Sequence, residues 1–394
     1  MNSFDYYSPT YFVFGRDREA ECGKYVKRFG GSKVLVVYGA SIAANTALLE
    51  KIHGSLRDES LEYLDYSGVP SNPRSGVVYK GIELCRKEGV DFLLAVGGGS
   101  TIDACKAIAI GVPYEGDFWD FFSGKTPESS LGVGVVLTLA ASGSEGSPNA
   151  IITNEKTLDK TACEGDCVRP RFAVMDPQLT TTLPPYQTAC GITDIISHCL
   201  ERYFTVTKNV ETTDRLLEGA VLAMMHEART VMADPKNYDA RANIMWCGMV
   251  SHNEIMGVGR QQDWTSHHLE HVMSALFNCA HGAGMAVILP AWMTYCIEYG
   301  DATRFVQFAV RVLGCDMDYN DPKRTARQGV ERFKAFLREI GMPLTLQEIG
   351  IGPEDIPRMV EMNHVGDRPV GQFCGGFDRQ AHFKIYQLAL GETQ

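Results

Sequence analysis

Residues 91–111 read DFLLAVGGGSTIDACKAIAIG. A short apolar run enters three glycines and a serine, Gly97, Gly98, Gly99 and Ser100, and leaves into an apolar stretch of helical texture. That is the pattern of a buried strand turning tightly into a helix. Glycines at such a corner let the backbone approach a pyrophosphate, and the helix N-terminus favours negative charge. The run departs from G-x-G-x-x-G because Ile102 stands where the third glycine belongs. A plain strand–turn–helix corner would read the same way, so the loop needs support from its surroundings.

The neighbouring segments repeat the scheme. KVLVVYG at 33–39 reads as a buried strand and SIAANTALLEKIHGSL at 41–56 as the helix after it. LGVGVVLTLAASGSE at 131–145 and RFAVMDP at 171–177 supply further short apolar runs. Strands alternating with helices imply a parallel sheet covered on both faces. The opening segment, YYSPTYFVFGRD, has the aromatic alternation of an extended strand, suited to the edge of that sheet or to a partner subunit. Beyond Pro184 and Pro185 the texture changes to long helical patterns, such as RLLEGAVLAMMHEARTVM and TARQGVERFKAFLREIGM. The expected architecture is an α/β dinucleotide-binding domain with a parallel sheet over 1–184, followed by an all-α domain over 185–394.

Two further loops bear on the nucleotide. The first strand ends in Tyr38-Gly39-Ala40-Ser41, with no acid to select the ribose of NAD, and no lysine or arginine follows to attract a 2′-phosphate. This permits NADP(H) without demanding it. The loop after the third run is rich in hydroxyls and glycine, and Thr138, Ser142 and Ser147 are its candidate contacts.

The helical part carries a second chemistry. In GITDIISHCLERY, Asp194 and His198 are four apart, so both side chains lie on one helix face. His267 and His271 form another such pair in WTSHHLEHVM, and His281 follows in NCAHGAG. One carboxylate and three imidazoles suit a divalent transition metal. His267 and His268 point about 100° apart on a helix, so both cannot face one ion, and spacing alone does not choose between them. His53, His226, His252, His364 and His382 have no comparable company and read as structural or solvated.

Composition narrows the classes. The net charge of −11 and the lack of a basic run argue against nucleic acid or anionic membrane as partner. No apolar stretch reaches the length of a bilayer span, and the N-terminus lacks the pattern of a signal peptide, so a cytoplasmic protein is expected. Twelve cysteines without a paired framework fit reduced thiols in such a compartment, and the CxxxC of Cys163 and Cys167 has no second pair to complete a zinc site.

Over essentially its full length the chain resembles the iron-containing (group III) alcohol dehydrogenase family, in its butanol dehydrogenase and NADPH-dependent aldehyde reductase branch. The stretches that carry the likeness, in order, are SNPRSGVVYKGIELCRKEGVDFLLAVGGGSTIDACKAIA, LTLAASGSEGSPNAIITNEKTLDK, DPQLTTTLPPYQTACGITDIISHCLERYFT, QQDWTSHHLEHVMSAL and CAHGAGMAVILPAWM. The resemblance implies the dehydroquinate-synthase-like fold, with its active site between the two domains. It implies metal ligands at Asp194, His198, His267 and His281, which selects His267 over His268, and a histidine near substrate and cofactor at His271. For the nucleotide it implies Gly39, Ser41, Asn72, Gly97, Gly98, Gly99, Ser100, Asp103, Thr138, Ser142, Ser147 and Lys160. YGASIAAN stands where that branch often has YGGGS followed by lysines, which weakens the expectation of strict NADPH use.

The implied reaction is hydride transfer between NAD(P)H, with the balance toward NADPH, and a small aldehyde or primary alcohol. A single Fe²⁺ or Zn²⁺ would polarise the substrate oxygen. Trp264, Met256 and Phe277 near the ligands favour aliphatic substrates, and a homodimer is expected. The rival readings are a lyase of the dehydroquinate-synthase type and a non-catalytic metal- and nucleotide-binding protein.

Overall fold

Among the described residues eight strands form two sheets: β1 (Tyr11–Phe14), β2 (Lys33–Tyr38), β3 (Glu62–Ser67), β4 (Phe92–Gly97), β5 (Gly132–Leu137), β6 (Asn149–Thr153), β7 (Lys160–Glu164) and β8 (Phe172–Met175). Six of them pair in parallel in the order β1-β8-β5-β4-β2-β3, and β6 and β7 make a separate antiparallel hairpin. The computed structural model describes residues 1–363 and 370–391, so His364 lies outside the described residues.

Two compact units result. One comprises Tyr7–Leu183 together with Lys236–Asn253, and the other Met1–Tyr6, Pro184–Pro235 and Glu254–Gln394.

In the sheet-bearing unit the strands read as continuous apolar runs because both faces are buried. Leu35, Val37, Leu93, Ala95, Val133 and Val135 enter one core cluster, while Val34, Val36, Leu94, Val96, Val136 and Val174 enter the other. The helices of this unit are α1 (Cys22–Arg28), α2 (Ala40–Ala43), α3 (Thr46–Asp58), α4 (Ser75–Glu88) and α5 (Gly99–Gly111), joined later in the chain by Tyr238–His252. The single helix expected after β2 is broken into α2 and α3. Asn45 accepts a hydrogen bond from Leu48 N–H (3.2 Å) and restarts the helix as its cap. The opening segment takes the sheet-edge alternative, β1 pairing with β8.

Strand order sets the crevice: successive strands run outward in opposite directions from β2 and β4. In open α/β sheets ligands bind beyond the carboxyl ends at such a switch point. Gly39 follows β2 there, and Gly97–Gly99 follow β4.

The second unit is helical: α6 (Pro185–Tyr203), α7 (Glu211–Ala233), then after α8 (Tyr238–His252) of the other unit, α9 (Thr265–Phe277), α10 (His281–Tyr299), α11 (Thr303–Arg311), α12 (Pro322–Glu339), α13 (Ile356–Met362) and α14 (Arg379–Ala389). Its centre is α10, apolar on every side and buried from Gly282 to Met293. α10 packs on α6, α9, α12 and α14. At Gly282 it meets α6 backbone to backbone, since a Cβ there would lie 2.0 Å from the Cys190 carbonyl oxygen. No helix among the described residues is long and apolar enough to cross a membrane.

Candidate metal centre and nucleotide loop

Asp194 and His198 sit one turn apart on α6, as their spacing requires, with His198 Nε2 3.6 Å from Asp194 Oδ1. His267 comes from the first turn of α9, its Nε2 4.0 Å from the same oxygen. His281 is the first residue of α10, its Nε2 3.3 Å away. The donor atoms of Asp194, His267 and His281 lie within 4.8 Å of one another, and His198 adjoins this group with its ring 5.0 Å from that of His267. His268, rotated by about 100° from His267, is exposed.

These separations fit an ion. Donors around a tetrahedral centre with bonds of about 2.1 Å stand about 3.4 Å apart. Asp194 Oδ1 and His267 Nε2 are buried and make no hydrogen bond among the described residues, which is costly unless a cation engages them. Burial opposes the charge on Asp194, but the imidazoles of His198, His281 and His267 hold its carboxyl well below the usual range.

Two buried glutamates that the sequence reading passed over orient the histidines. Glu201, on α6 one turn beyond His198, accepts from His267 Nδ1 (2.7 Å), Ser266 Oγ (2.5 Å) and His267 N–H (3.1 Å) on one oxygen and from Trp264 N–H (3.0 Å) on the other. It therefore serves as the N-cap that α9 lacks, because Trp264 at the cap position is left-handed (φ 63°) and has no capping side chain. Glu270, on α9, bonds His281 Nδ1 through Oε2. With each Nδ1 tied to a carboxylate, each Nε2 is the nitrogen turned toward Asp194. Burial works against a charged His281, yet Glu270 and Asp194 lift its pKa to about 9, so this point strongly favours positive charge. The missed signal was periodic: Asp194, His198 and Glu201 follow i, i+4, i+7, and His267 and Glu270 follow i, i+3.

His271 lies nearby, its ring 6.4 Å from His267 and 5.8 Å from His281. Of the apolar candidates, Trp264 packs against the clustered imidazoles, 4.9 Å from His267 and 6.0 Å from His198, whereas Met256 is buried. A second carboxylate group, Asp17, Glu19 and Asp176, is already bridged by the Lys51 ammonium, at 3.0 Å from Asp17 and 2.8 Å from Glu19.

In the sheet-bearing unit, Gly98 caps α5 in an extended conformation and Gly99 opens it. Gly99 is required by close approach, since a Cβ there would lie 2.3 Å from Ser142 Oγ. Thr138 N–H donates to Gly97 O (3.0 Å), which fixes the hydroxyl-rich loop beside the glycines. Gly97, Gly98, Gly99, Ser100, Thr138 and Ser142 thus gather at the carboxyl ends of β4 and β5. Lys160 donates to Asn72 (3.1 Å), joining those two residues. Gly39 caps α2, and Ser41 is exposed on it. Asp103 and Ser147 face inward instead: Asp103 accepts from Ser144 Oγ (2.6 Å), and Ser147 Oγ accepts from Lys106 (3.3 Å).

A parallel-sheet nucleotide fold joined in one chain to a helical unit with a carboxylate–histidine cluster defines the class of metal-dependent dehydrogenases. Residues 9–177 match the model of the iron-containing alcohol dehydrogenase, and residues 188–373 match that of the Fe-containing alcohol dehydrogenase family, C-terminal. The chain is 38% identical to the probable NADH-dependent butanol dehydrogenase 2 of Bacillus subtilis, over 93% of this chain and 95% of that protein. It is 33% identical to the NADPH-dependent aldehyde reductase YqhD of Escherichia coli, over 92% of each. The crystal structure of NADH-dependent butanol dehydrogenase A from Thermotoga maritima superposes with a TM-score of 0.94 at 34% identity, covering 99% of both chains. The chain belongs to the iron-containing alcohol dehydrogenase family. It is accordingly an enzyme, an oxidoreductase acting between alcohols and aldehydes.

Proposed function

We propose that the protein reduces small aliphatic aldehydes to primary alcohols with NAD(P)H. The nucleotide would bind at Gly97–Ser100 with Gly39, Ser41, Asn72, Thr138, Ser142 and Lys160, and a divalent ion, Fe²⁺ or Zn²⁺, at Asp194, His198, His267 and His281. The observation that carries this reading is the approach of three imidazole Nε2 atoms to one buried aspartate oxygen at 3.3–4.0 Å. A bound ion there supplies a Lewis acid for the substrate oxygen, and the nicotinamide supplies the hydride.

The chain's own residues do the rest. Glu201 and Glu270 hold the imidazoles of His267 and His281 in the ligating tautomer. Trp264 walls the ligand side with an apolar ring, which suits an aliphatic substrate better than a charged one. His271, partly exposed beside His281, positions the substrate or passes the proton that alcohol formation requires.

Gly39 offers no acid against a ribose 2′-phosphate, so both nucleotides are expected to serve. We also propose a cytoplasmic homodimer. Twelve cysteines that form no paired framework in the sequence suit a reducing compartment, and β1 is an edge strand with exposed Tyr11 and Phe14 that a second copy would cover.

The test is butanal reduction with NADH and with NADPH, read by absorbance, alongside metal analysis of the same preparation. Turnover with at least one nucleotide and about one ion per chain is expected. Absence of turnover with both, or full activity in His267→Ala, would overturn the reading.

A further inference from the structure

Lys106 is fully buried in α5, two turns past the glycines. Lysine is almost never found in that state unless its ammonium is well partnered. Here Nζ donates to Asn149 O (2.7 Å), Ser147 O (2.9 Å), Ser144 Oγ (3.0 Å) and Ser147 Oγ (3.3 Å). Ser144 in turn donates to Asp103, one turn earlier on the same helix (2.6 Å). One ammonium therefore ties residues 144–149 to the helix that begins at Gly99. An apolar side chain there would leave the oxygens that share the three ammonium protons without this donor.

The loop is held on its other sides as well. A Cβ on Gly143 would lie 2.6 Å from His252 Cβ and 2.7 Å from Gly248 O, both on α8, so the backbone is wedged there. Arg169 donates to Gly146 O at 2.6 Å. Burial draws the Lys106 pKa down to about 8, with Asp103, Cys163 and Glu145 opposing the fall, so the ammonium persists at neutral pH.

We propose that Lys106 is a positioning residue for cofactor binding: from inside α5 it sets the shape of the 142–149 loop against the glycine corner, and so sets nucleotide affinity without touching the nucleotide. The inference rests on the reading of that corner as the nucleotide site. A bare structural staple would make the opposite demand, that loss of the ammonium lower stability and leave affinity alone. Ser142 links the two ends of the argument, because its hydroxyl lies against Gly99 and accepts from Ser144 N–H (3.3 Å).

The experiment compares the wild-type enzyme with Lys106→Met and Ser144→Ala. NADH and NADPH are each titrated by nicotinamide fluorescence, with metal content, thermal midpoint, and kcat and KM for butanal measured on the same samples. Lys106→Met is expected to raise the Kd of both nucleotides by about tenfold, with kcat at saturating nucleotide changed less than about twofold. Ser144→Ala, which removes one acceptor and the Asp103 link, should raise Kd about threefold, and it carries the test if Lys106→Met fails to fold. Unchanged Kd in a folded variant, or a fall in kcat with Kd unchanged, overturns the proposal. If the wild-type enzyme binds neither nucleotide, the nucleotide site itself has been misread, an outcome distinct from a staple that leaves affinity intact.

Discussion

Glu201 accepts four hydrogen bonds from the start of α9 while the helix that carries it presents Asp194 and His198. Glu201→Gln can keep some acceptors but must turn an amide donor toward one of those groups, so metal affinity should fall about 10–100-fold. Competition with a chelator measures this without any turnover. An affinity equal to wild type would mean that His267 needs no carboxylate to hold it. The clustering of His198, His267 and His281 about Asp194 was legible because helical spacing is visible in a sequence, and family blocks selected His267 over His268. The two glutamates were not, because a glutamate on a helix face is ordinarily solvated and spacing does not report burial. His382 is a similar case: it read as structural or solvated and is fully buried, with neither ring nitrogen hydrogen-bonded among the described residues. Burial lowers its pKa to about 4, while the unfolded chain takes up that proton near pH 6.5. The native state is thus favoured in full above pH 6.5 and loses that advantage as the pH falls toward 4, by about 2 kcal/mol between pH 7 and 5. Urea unfolding at the two pH values should show a smaller loss for His382→Leu.

Among the elements, α6 and α10 make the tightest demand. A methyl group on Gly282 would meet backbone, not a side chain that can swing aside. Gly282→Ala should therefore cost about 3 kcal/mol or more and lower the thermal midpoint even in metal-free protein. A midpoint within a degree or two of wild type would show that the helices separate freely. The sheet was legible where strands are buried on both faces, as in β2, β4 and β5, since continuous apolar runs are their mark. β3 (EYLDYS) is a half-exposed edge strand, and in the hairpin only β6 (NAIIT) has an apolar run, three residues long, so neither offered that mark. The break between α2 and α3 escaped notice because an Asn within a helical pattern is unremarkable until its side chain is seen to cap.

For the molecule as a whole, β1 leaves a sheet edge open, and Tyr11, Phe14 and Trp246 are exposed around it, with Trp246 edge-on to Phe14. If a second copy covers that edge, Tyr11→Lys with Trp246→Glu should shift the sedimenting species from about twice the chain mass to the chain mass. A wild-type protein already monomeric at micromolar concentration would refute the dimer. α8 reads like its helical neighbours, yet its Met245 and Met249 complete the core of the sheet-bearing unit. Nothing in its own periodicity assigns it there; only long-range packing does. The seat of Gly282 on the Cys190 carbonyl also bears on which ions can enter. Cys190 lies one turn before Asp194, and Gly282 directly follows His281. The backbone positions from which that carboxylate and that imidazole reach toward each other are therefore gauged by main-chain contact. If an ion binds between these side chains, small transition-metal ions are expected to be preferred to calcium, which needs longer bonds and more oxygen donors than one aspartate and three histidines offer.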